Sequence, residues 1–306
     1  MGESSAFSPI SCTLIHGDRE AVLVDTPISV SQTKSLIKWI EGIMPNKELA
    51  CVYVTHGHGD HWFGIPLLKE RWPNLKAVAT KATVEHMKRQ LTPEYFDNLW
   101  LKVFPGGQIY QPQEVAQPME TDTFEIEGHT FRAIGVGHTD TVDTTILYVP
   151  GIHLVVAGDV VYGDVHQVFG EANTTAKREE WLRAIETIES LNPHTVVAGR
   201  KREGSVDGIY NIAATKEYIR AFESATKTCK SMKELYDHMQ QLYPNRINPH
   251  TILAGATAAS KTRLLNNVEA FVHPPADLSV CPCFLVWVWV WAWGYFRIPE
   301  TGRQTY

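Results

Sequence analysis

The hydrophobic pattern up to about residue 210 alternates between short apolar runs and amphipathic helical stretches. In residues 29–43, for example, Leu36, Ile37 and Ile40 form one apolar stripe at helical spacing. The predicted strands are 14–25 (a hairpin), 50–55, 77–79, 121–134 (a second hairpin), 144–149 and 153–157, and the predicted helices are 29–43, 63–71, one from about 83, and 175–190. Strands mixed with helices in this order predict a layered α/β fold.

The chain changes character after about Tyr210. Helical patterns cover 214–225, 231–242 and 254–263, whereas tryptophans at 287, 289, 291 and 293 alternate with Val or Ala near the end of the chain. Three interpretations of that end are open: a strand that covers another apolar surface, a membrane-interface anchor, or a terminus foreign to the ancestral fold. We favour the third. We therefore divide the chain into a core (1–210), a helical extension (211–265) and an atypical tail (266–306).

The composition narrows the class of protein. The chain has 306 residues, of which 44% are hydrophobic and 20% charged, as in an ordinary globular protein. A net charge of −6 disfavours a nucleic-acid partner, which normally requires basic excess. Five cysteines and a polar opening segment predict reduced thiols and a cytoplasmic protein. The Trp-rich run is too short for an ordinary membrane span, so we expect no clear membrane partner, and the oligomeric state is left open.

Potential metal ligands are most closely spaced in the motif His56-Gly-His58-Gly-Asp60-His61, which directly follows the apolar run 51–55. Three imidazoles and a carboxylate this close together can bind one divalent ion or two neighbouring ones, and zinc suits such ligands. The glycines between them let the backbone fold tightly. A polar turn with chance histidines is the alternative, but a cluster of this density favours a metal site.

The motif resembles the signature of the metallo-β-lactamase superfamily. The matching later positions are His138, in Gly-Val-Gly-His-Thr-Asp-Thr, and Asp159, which follows the apolar run 154–157 and a glycine. The resemblance covers about residues 12–207 and implies a four-layer αβ/βα sandwich, with the metal site at the edge where the loops of the two sheets meet. It also implies two metal positions. The first would use His56, His58 and His138, and the second Asp60, His61 and Asp159.

One residue departs from the family pattern. Where the superfamily normally places its last histidine, after a strand that ends in Ala-Gly or Pro-Gly, this chain has Arg200. A guanidinium has no lone pair and stays charged, so Arg200 cannot be a ligand. His194 is no substitute, because it lies roughly 20 Å away along the same strand if that strand is extended. We therefore expect one firmly bound Zn²⁺, a second ion weak or absent, and the guanidinium close to Asp60, His61 and Asp159.

The resemblance further implies a metal-dependent hydrolase with a small-molecule substrate. In the superfamily a metal-bound hydroxide attacks the substrate, and Asp60 would both ligate the second ion and orient the attacking water. The leading hypothesis is an enzyme that opens a lactam or lactone of a xenobiotic or secondary metabolite, like the detoxifying hydrolases of microbes and fungi. A thioester hydrolase of the glyoxalase or acyl-carrier type is the second hypothesis. The third is a weakly active or non-catalytic relative, impaired at Arg200.

Four further features are candidates for the surroundings of the metal. His166 could reach the pocket mouth or be a core histidine, and the two interpretations are evenly balanced. Asp140 could accept a hydrogen bond from a metal-binding imidazole, and Trp62 could line the pocket. The aromatic stretch 95–107 could be a substrate wall or lid, although an amphipathic helix with its aromatic side chains inward is the better-supported interpretation.

Overall fold

The computed structural model of the chain describes residues 7–269 and 292–297. In its first half, strands and helices alternate much as the hydrophobic pattern predicts. A π-helical turn, Phe96–Trp100, leads into α4. The elements are β1 (Ser11–His16), β2 (Glu20–Val24), α1 (Val30–Ile43), β3 (Glu48–Tyr53), α2 (Ile65–Arg71), β4 (Lys76–Ala79), α3 (Lys81–Gln90), α4 (Leu101–Val103), β5 (Gln117–Pro118) and β6 (Thr123–Ile126).

The second half begins with a β-meander and ends in helices. The elements that were predicted there lie within a few residues of their expected boundaries, except that the helices that cover the predicted 214–225 and 254–263 are longer. The strands after residue 157 were not predicted from the apolar pattern. The elements are β7 (His129–Gly137), β8 (Thr144–Val149), β9 (Leu154–Val156), β10 (Tyr162–Gly163), α5 (Thr175–Ser190), β11 (Thr195–Val197), β12 (Arg200–Lys201), α6 (Tyr210–Thr228), α7 (Met232–Leu242), α8 (His250–Glu269) and β13 (Ala292–Arg297).

The strands form two main sheets whose directions bring several strand ends to one edge. The first sheet has the order β13-β1-β2-β3-β4-β5, and β2 to β5 run parallel to one another. The second has the order β11-β9-β8-β7-β6, in which β9 and β11 are parallel and the meander is antiparallel. Strands β7, β9 and β11 therefore point the same way. A short parallel pair, β10 with β12, lies apart from both sheets.

Three apolar clusters establish the layers. Tyr53 of the first sheet packs with Phe131 and Leu147 of the second in a cluster between the sheets. A second cluster covers the outer face of the first sheet with α1 and α2, through residues such as Leu36. The third covers the outer face of the second sheet with helices α5 to α8, through residues such as Trp181. The order helix, sheet, sheet, helix confirms the predicted four-layer αβ/βα sandwich.

The C-terminal helices are present as predicted, and part of the tail forms a strand. β13 pairs with β1 in parallel, from Ser11 opposite Ala292 to His16 opposite Arg297. The rest of the predicted tail, 270–291 and 298–306, lies outside the described residues, as do residues 1–6. The division of the chain into core, extension and tail therefore stays a prediction. Within the described ranges, the helices are all too short or too polar to cross a membrane.

Gly199 offers a direct test of the packing between two strand ends. A Cβ at Gly199 would lie 2.3 Å from the carbonyl carbon of Gly158, and backbone cannot rotate out of the way. We expect Gly199→Ala to lower the free energy of unfolding by about 3 kcal/mol or more. The control is Gly42→Ala in α1, where an added Cβ would meet no heavy atom of the described residues within 4 Å beyond its chain neighbours and its own helix backbone. In denaturant unfolding, the free energy of unfolding of Gly42→Ala should be unchanged or higher by up to about 1 kcal/mol. Equal stability of the two variants would contradict this packing.

Candidate metal centre

The candidate ligands lie on loops that follow the aligned strand ends. His56 comes shortly after β3, and a 3₁₀ turn, Gly59–His61, follows it. His138 comes directly after β7, and Asp159 lies in a 3₁₀ turn after β9. Because these strands end at one edge of the sandwich, residues far apart in the sequence meet there. Each of these positions is buried, as expected for a site set between two sheets.

The glycines of the motif have a different physical role from the one we expected. Neither Gly57 nor Gly59 has a positive φ angle. Instead, a Cβ on Gly57 would lie 2.3 Å from Cγ of His86, and one on Gly59 would lie 2.3 Å from Cζ of Phe63. The motif therefore needs glycine because neighbouring rings pack directly on its backbone. Trp62 supports the same loop from within the core, since its buried indole N–H donates to the carbonyl of Gly57 (2.8 Å).

Asp25, which follows β2, determines the tautomers of two histidines. Nδ1–H of His61 donates to Oδ2 of Asp25 (2.8 Å), which leaves the lone pair on Nε2. The hydroxyl of Thr55 also donates to that carboxylate oxygen (2.8 Å), so its oxygen is free to accept from Nδ1 of His56 (3.1 Å). His56 therefore also carries its lone pair on Nε2. That atom is buried and has no hydrogen-bond partner.

His138 and His58 are oriented by other acceptors. Nδ1–H of His138 donates to the carbonyl of Thr139 (2.8 Å), so the lone pair is on Nε2, which is buried and unpartnered. His58 lies between two carboxylates: Nε2 is 3.0 Å from Oε1 of Glu171, and Nδ1 is 3.4 Å from Oδ2 of Asp140. Acceptors behind imidazole rings in this way are typical of metal-binding histidines.

Two groups of side chains place their ligand atoms within 4.8 Å of one another. One contains His56, His61 and Asp159, and the other His56, His58 and Asp140. His138 is in neither group, so its convergence with His56 and His58 on one ion stays a prediction. The Nε2 atoms of His56 and His138 are buried and have no hydrogen-bond partner among the described residues. Burying a polar nitrogen without a partner costs free energy, and coordination of a metal ion would remove that cost. Both atoms therefore fit a metal ligand at the first predicted position.

Arg200 disfavours a metal at the second predicted position, because it bonds one ligand atom of each of the three residues; Oδ1 of Asp159 is left without a hydrogen-bond partner among the described residues. Nε of Arg200 donates to Oδ2 of Asp159 (2.7 Å), and Nη2 donates to Oδ2 of Asp60 (2.8 Å) and to Nε2 of His61 (2.9 Å). Nη1 donates to the carbonyl of Ser8 (3.2 Å). The guanidinium therefore lies where we expected it, among all three second-position residues. It is buried and its donors are engaged, so it is not available to a substrate.

The guanidinium keeps two buried carboxylates ionised. Burial would raise the pKa of Asp60 and of Asp159, but the charge of Arg200 holds the first below its usual range and the second well below it. Tyr162 adds a hydrogen bond to Oδ2 of Asp159 (3.3 Å). Both carboxylates are therefore hydrogen-bond acceptors only, and the pair is partly neutralised by one fixed cation.

The histidines differ in how burial and neighbouring charge combine. Burial lowers the pKa of His56 well below its ordinary value, so His56 is neutral. Burial would also lower the pKa of His61, but Asp159 and other carboxylates raise it to about 10. The contact of 2.9 Å between Nε2 of His61 and Nη2 of Arg200 is a hydrogen bond only while Nε2 keeps its lone pair. The carboxylates thus favour a protonated His61, whereas the hydrogen bond from Arg200 requires the neutral ring; we follow the hydrogen bond, because a guanidinium can only donate.

Several predicted residues lie beside the centre rather than in it. His166 is buried against α6, where Nδ1 lies 2.7 Å from the hydroxyl of Tyr218, and it belongs to neither ligand group. In the aromatic stretch, Trp100 is buried and packs edge-on against Phe63 (5.6 Å between ring centroids). Tyr95 at the start of that stretch is 38% exposed. The stretch is therefore mainly a packed helical segment.

Three residues that contact the candidate ligands were not predicted from the sequence. Asp25 could have been found, because it is the first polar residue after an apolar strand. Glu180 of α5 accepts from the backbone N–H of His138 (3.0 Å), and Glu171 pairs with His58. No motif or local pattern in the sequence identifies either glutamate, because each contacts the candidate ligands from a segment that is distant along the chain.

Comparison with known proteins identifies the family. A model of the metallo-beta-lactamase superfamily matches residues 6–200, about the range of the resemblance in the sequence. The chain belongs to this superfamily of hydrolytic metalloenzymes. It is 27% identical over 198 residues to a metallo-beta-lactamase type 2 from Bacillus sp. (strain 170), covering 64% of this chain and 68% of that protein. It is also 27% identical over 162 residues to the atrochrysone carboxyl ACP thioesterase of Emericella nidulans, covering 52% of this chain but 39% of the thioesterase.

Solved structures support the same fold. A metallo-beta-lactamase family protein from Thermus thermophilus superimposes with a TM-score of 0.60 at 15% identity, covering 83% of this chain and 88% of that one. A metallo-beta-lactamase from Pontibacter korlensis gives a TM-score of 0.51 at 18% identity, over 68% of this chain and 85% of that one. At these identities the likeness establishes the sandwich and not the substrate.

His166 makes a prediction about acid stability. Burial, with the nearby charge of Arg246, lowers the pKa of His166 from 6.5 to about 4. Above pH 6.5 the residue is neutral in both states and contributes nothing; below it, the unfolded chain takes up a proton that the folded chain does not. Stability should therefore fall between about pH 6.5 and about pH 4. His166→Gln, which can still hydrogen-bond to Tyr218, should make that fall shallower in urea unfolding at a series of pH values. An unchanged slope would count against this account.

Proposed function

We propose that this protein is a metal-dependent hydrolase with one firm metal position, and that it opens small lactams or lactones. The observation that supports the proposal is that Nε2 of His56 and Nε2 of His138 are both buried and have no hydrogen-bond partner among the described residues. They lie in a fold whose family members are hydrolytic metalloenzymes. Histidine nitrogens favour zinc among the common divalent ions.

The restriction to one metal position follows from Arg200. Every second-position residue already accepts a hydrogen bond from its guanidinium. A divalent ion at that position would also be repelled by the fixed positive charge, at a cost of several kcal/mol even at a moderate dielectric constant. Within the part of the chain that the structure describes, by contrast, no Lys or Arg side chain is bonded to the three histidines of the first position.

Residues of the chain would orient both the metal ligands and the attacking water. A divalent ion bound at the first position supplies Lewis acidity, which activates water and polarises a carbonyl group. Asp25, Thr55 and the carbonyl of Thr139 keep the ligand nitrogens deprotonated and aimed. Asp60 stays ionised beside Arg200, so it can orient a water by accepting its hydrogen bond.

The substrate class is supported by the relatives. The Bacillus and Bacteroides fragilis proteins that match this chain are metallo-beta-lactamases by name, which favours a cyclic amide. A cyclic ester presents a similar carbonyl to the same site, and we include it for that reason. The Emericella nidulans relative is a thioesterase by name and favours a thioester as the second candidate substrate. The net charge of −6 fits a small-molecule substrate better than a nucleic acid.

A substrate panel tests this proposal. The zinc-loaded protein should hydrolyse members of a panel of lactams and lactones faster than it hydrolyses acyl-thioesters. His56→Ala, which removes a bare nitrogen, should lose both tightly held zinc and activity, by at least about 100-fold in kcat/KM. His194→Ala replaces an exposed histidine elsewhere and should behave like the unmodified protein. Preference for thioesters would favour the second candidate, and zinc-loaded protein inert on the whole panel would refute a hydrolase.

Arg200 can be tested by restoring the residue type of the family pattern. Arg200→His should raise the metal content from about one to about two ions per chain and increase turnover, because it supplies a neutral ligand and removes a cation. Without metal, the same variant should unfold at a lower temperature, since two buried carboxylates lose their partner. Arg200→Lys is the matched control: it keeps the charge but cannot coordinate, and it should stay at one ion. Elemental analysis that finds two tightly bound ions in the unmodified protein would overturn the one-position proposal.

A further inference from the structure

Glu171 joins the two loops that carry the candidate first-position histidines. One carboxylate oxygen, Oε1, lies 3.0 Å from Nε2 of His58, and the other, Oε2, accepts a hydrogen bond of 2.7 Å from the hydroxyl of Thr141. His58 belongs to the loop after β3, whereas Thr141 follows His138 in the loop after β7. A single side chain from the segment between β10 and α5 therefore contacts both loops.

The contact with Glu171 decides which nitrogen of His58 can bind an ion. A neutral imidazole carries one proton, and here the N–H on Nε2 is directed at the carboxylate of Glu171. Nδ1 then keeps its lone pair and lies 3.4 Å from Oδ2 of Asp140, another acceptor. Two acceptors this close repel each other unless a cation or proton lies beside them. His58 and Asp140 also form a ligand group with His56, which favours an ion on the Nδ1 side of the ring.

We propose that Glu171 is a positioning residue of the metal centre, which holds His58 so that Nδ1 is presented to a divalent ion. A carboxylate behind a ligating imidazole fixes the tautomer and the orientation of the ring and increases the basicity of the ligand atom. Through Thr141 the same carboxylate ties the loop of His138 to the loop of His58. The inference rests on the proposed function, because it requires an ion at the first position.

The exposure of Glu171 makes this role separable from a role in folding. Its side chain is 48% exposed, and an ion pair this open to solvent contributes at most about 1 kcal/mol to stability. Replacing Glu171 should therefore leave the fold intact, so that an effect on metal binding can be measured in a folded protein.

Glu223 provides a matched control. It also bonds a threonine and a cationic side chain, since it accepts from the hydroxyl of Thr175 (3.0 Å) and from Nε of Arg178 (2.7 Å). These contacts lie between α5 and α6, and Glu223 is in neither ligand group. Glu223→Gln thus removes a comparable carboxylate charge without touching a candidate ligand.

The experiment measures zinc affinity by competition with a chromophoric chelator, together with thermal unfolding of the metal-free proteins. Glu171→Gln should weaken zinc binding by about 10- to 100-fold and leave the unfolding temperature unchanged. Glu171→Ala, which also removes the acceptor, should weaken it further. Glu223→Gln should show the reverse, with a lower unfolding temperature and unchanged zinc affinity.

Two results would overturn the inference about Glu171. One is zinc affinity of Glu171→Gln within about twofold of that of the unmodified protein. The other is an unmodified protein that binds no zinc, which would also overturn the proposed function. An unmodified protein that binds zinc but hydrolyses nothing would count against the proposed function alone. The inference would then still be supported by weakened zinc binding in Glu171→Gln.

Discussion

The buried ion pairs between the guanidinium of Arg200 and the carboxylates of Asp60 and Asp159 determine the charge balance at the second predicted metal position. Two acidic side chains brought together between the sheets require a cation, because an uncompensated buried charge costs about 3–5 kcal/mol. In the family pattern a metal ion can supply that charge. Here the side chain of Arg200 supplies a positive charge through hydrogen-bonded ion pairs of 2.7 Å and 2.8 Å, which is why we propose that a second ion is not required.

The remaining histidines depend on a set of hydrogen-bond acceptors behind their rings. Asp25 accepts directly from His61 and, through Thr55, fixes His56. The backbone carbonyl of Thr139 accepts from Nδ1–H of His138 and so fixes the tautomer of that ring. Each ring therefore has its proton on Nδ1 and its lone pair on Nε2, the atom that we propose as the metal ligand in His56 and His138. The sandwich makes this possible because strands from both sheets end at the same edge.

The sequence predicted the layers well and the contacts between distant segments poorly. Apolar periodicity located most strands and helices, since the central strands of both sheets and one face of helices such as α1 are buried. The His56 motif could be found from its density of potential ligands, whereas His138, Asp159 and the departure at Arg200 were found through the resemblance to the superfamily. Glu171 and Glu180 could not, since nothing local indicates which loop a surface carboxylate will reach. The role of the motif glycines was also missed, because it depends on rings from other elements that pack against them.

We propose that one chain holds one metal ion because Arg200 lies among the residues of the second position. Anomalous X-ray scattering at the zinc edge, from crystals of the unmodified protein grown with excess zinc, tests this most directly. The account predicts one anomalous peak beside His56, His58 and His138, with the guanidinium of Arg200 still bonded to Asp159. A second peak of comparable height among Asp60, His61 and Asp159, with the guanidinium displaced, would contradict it.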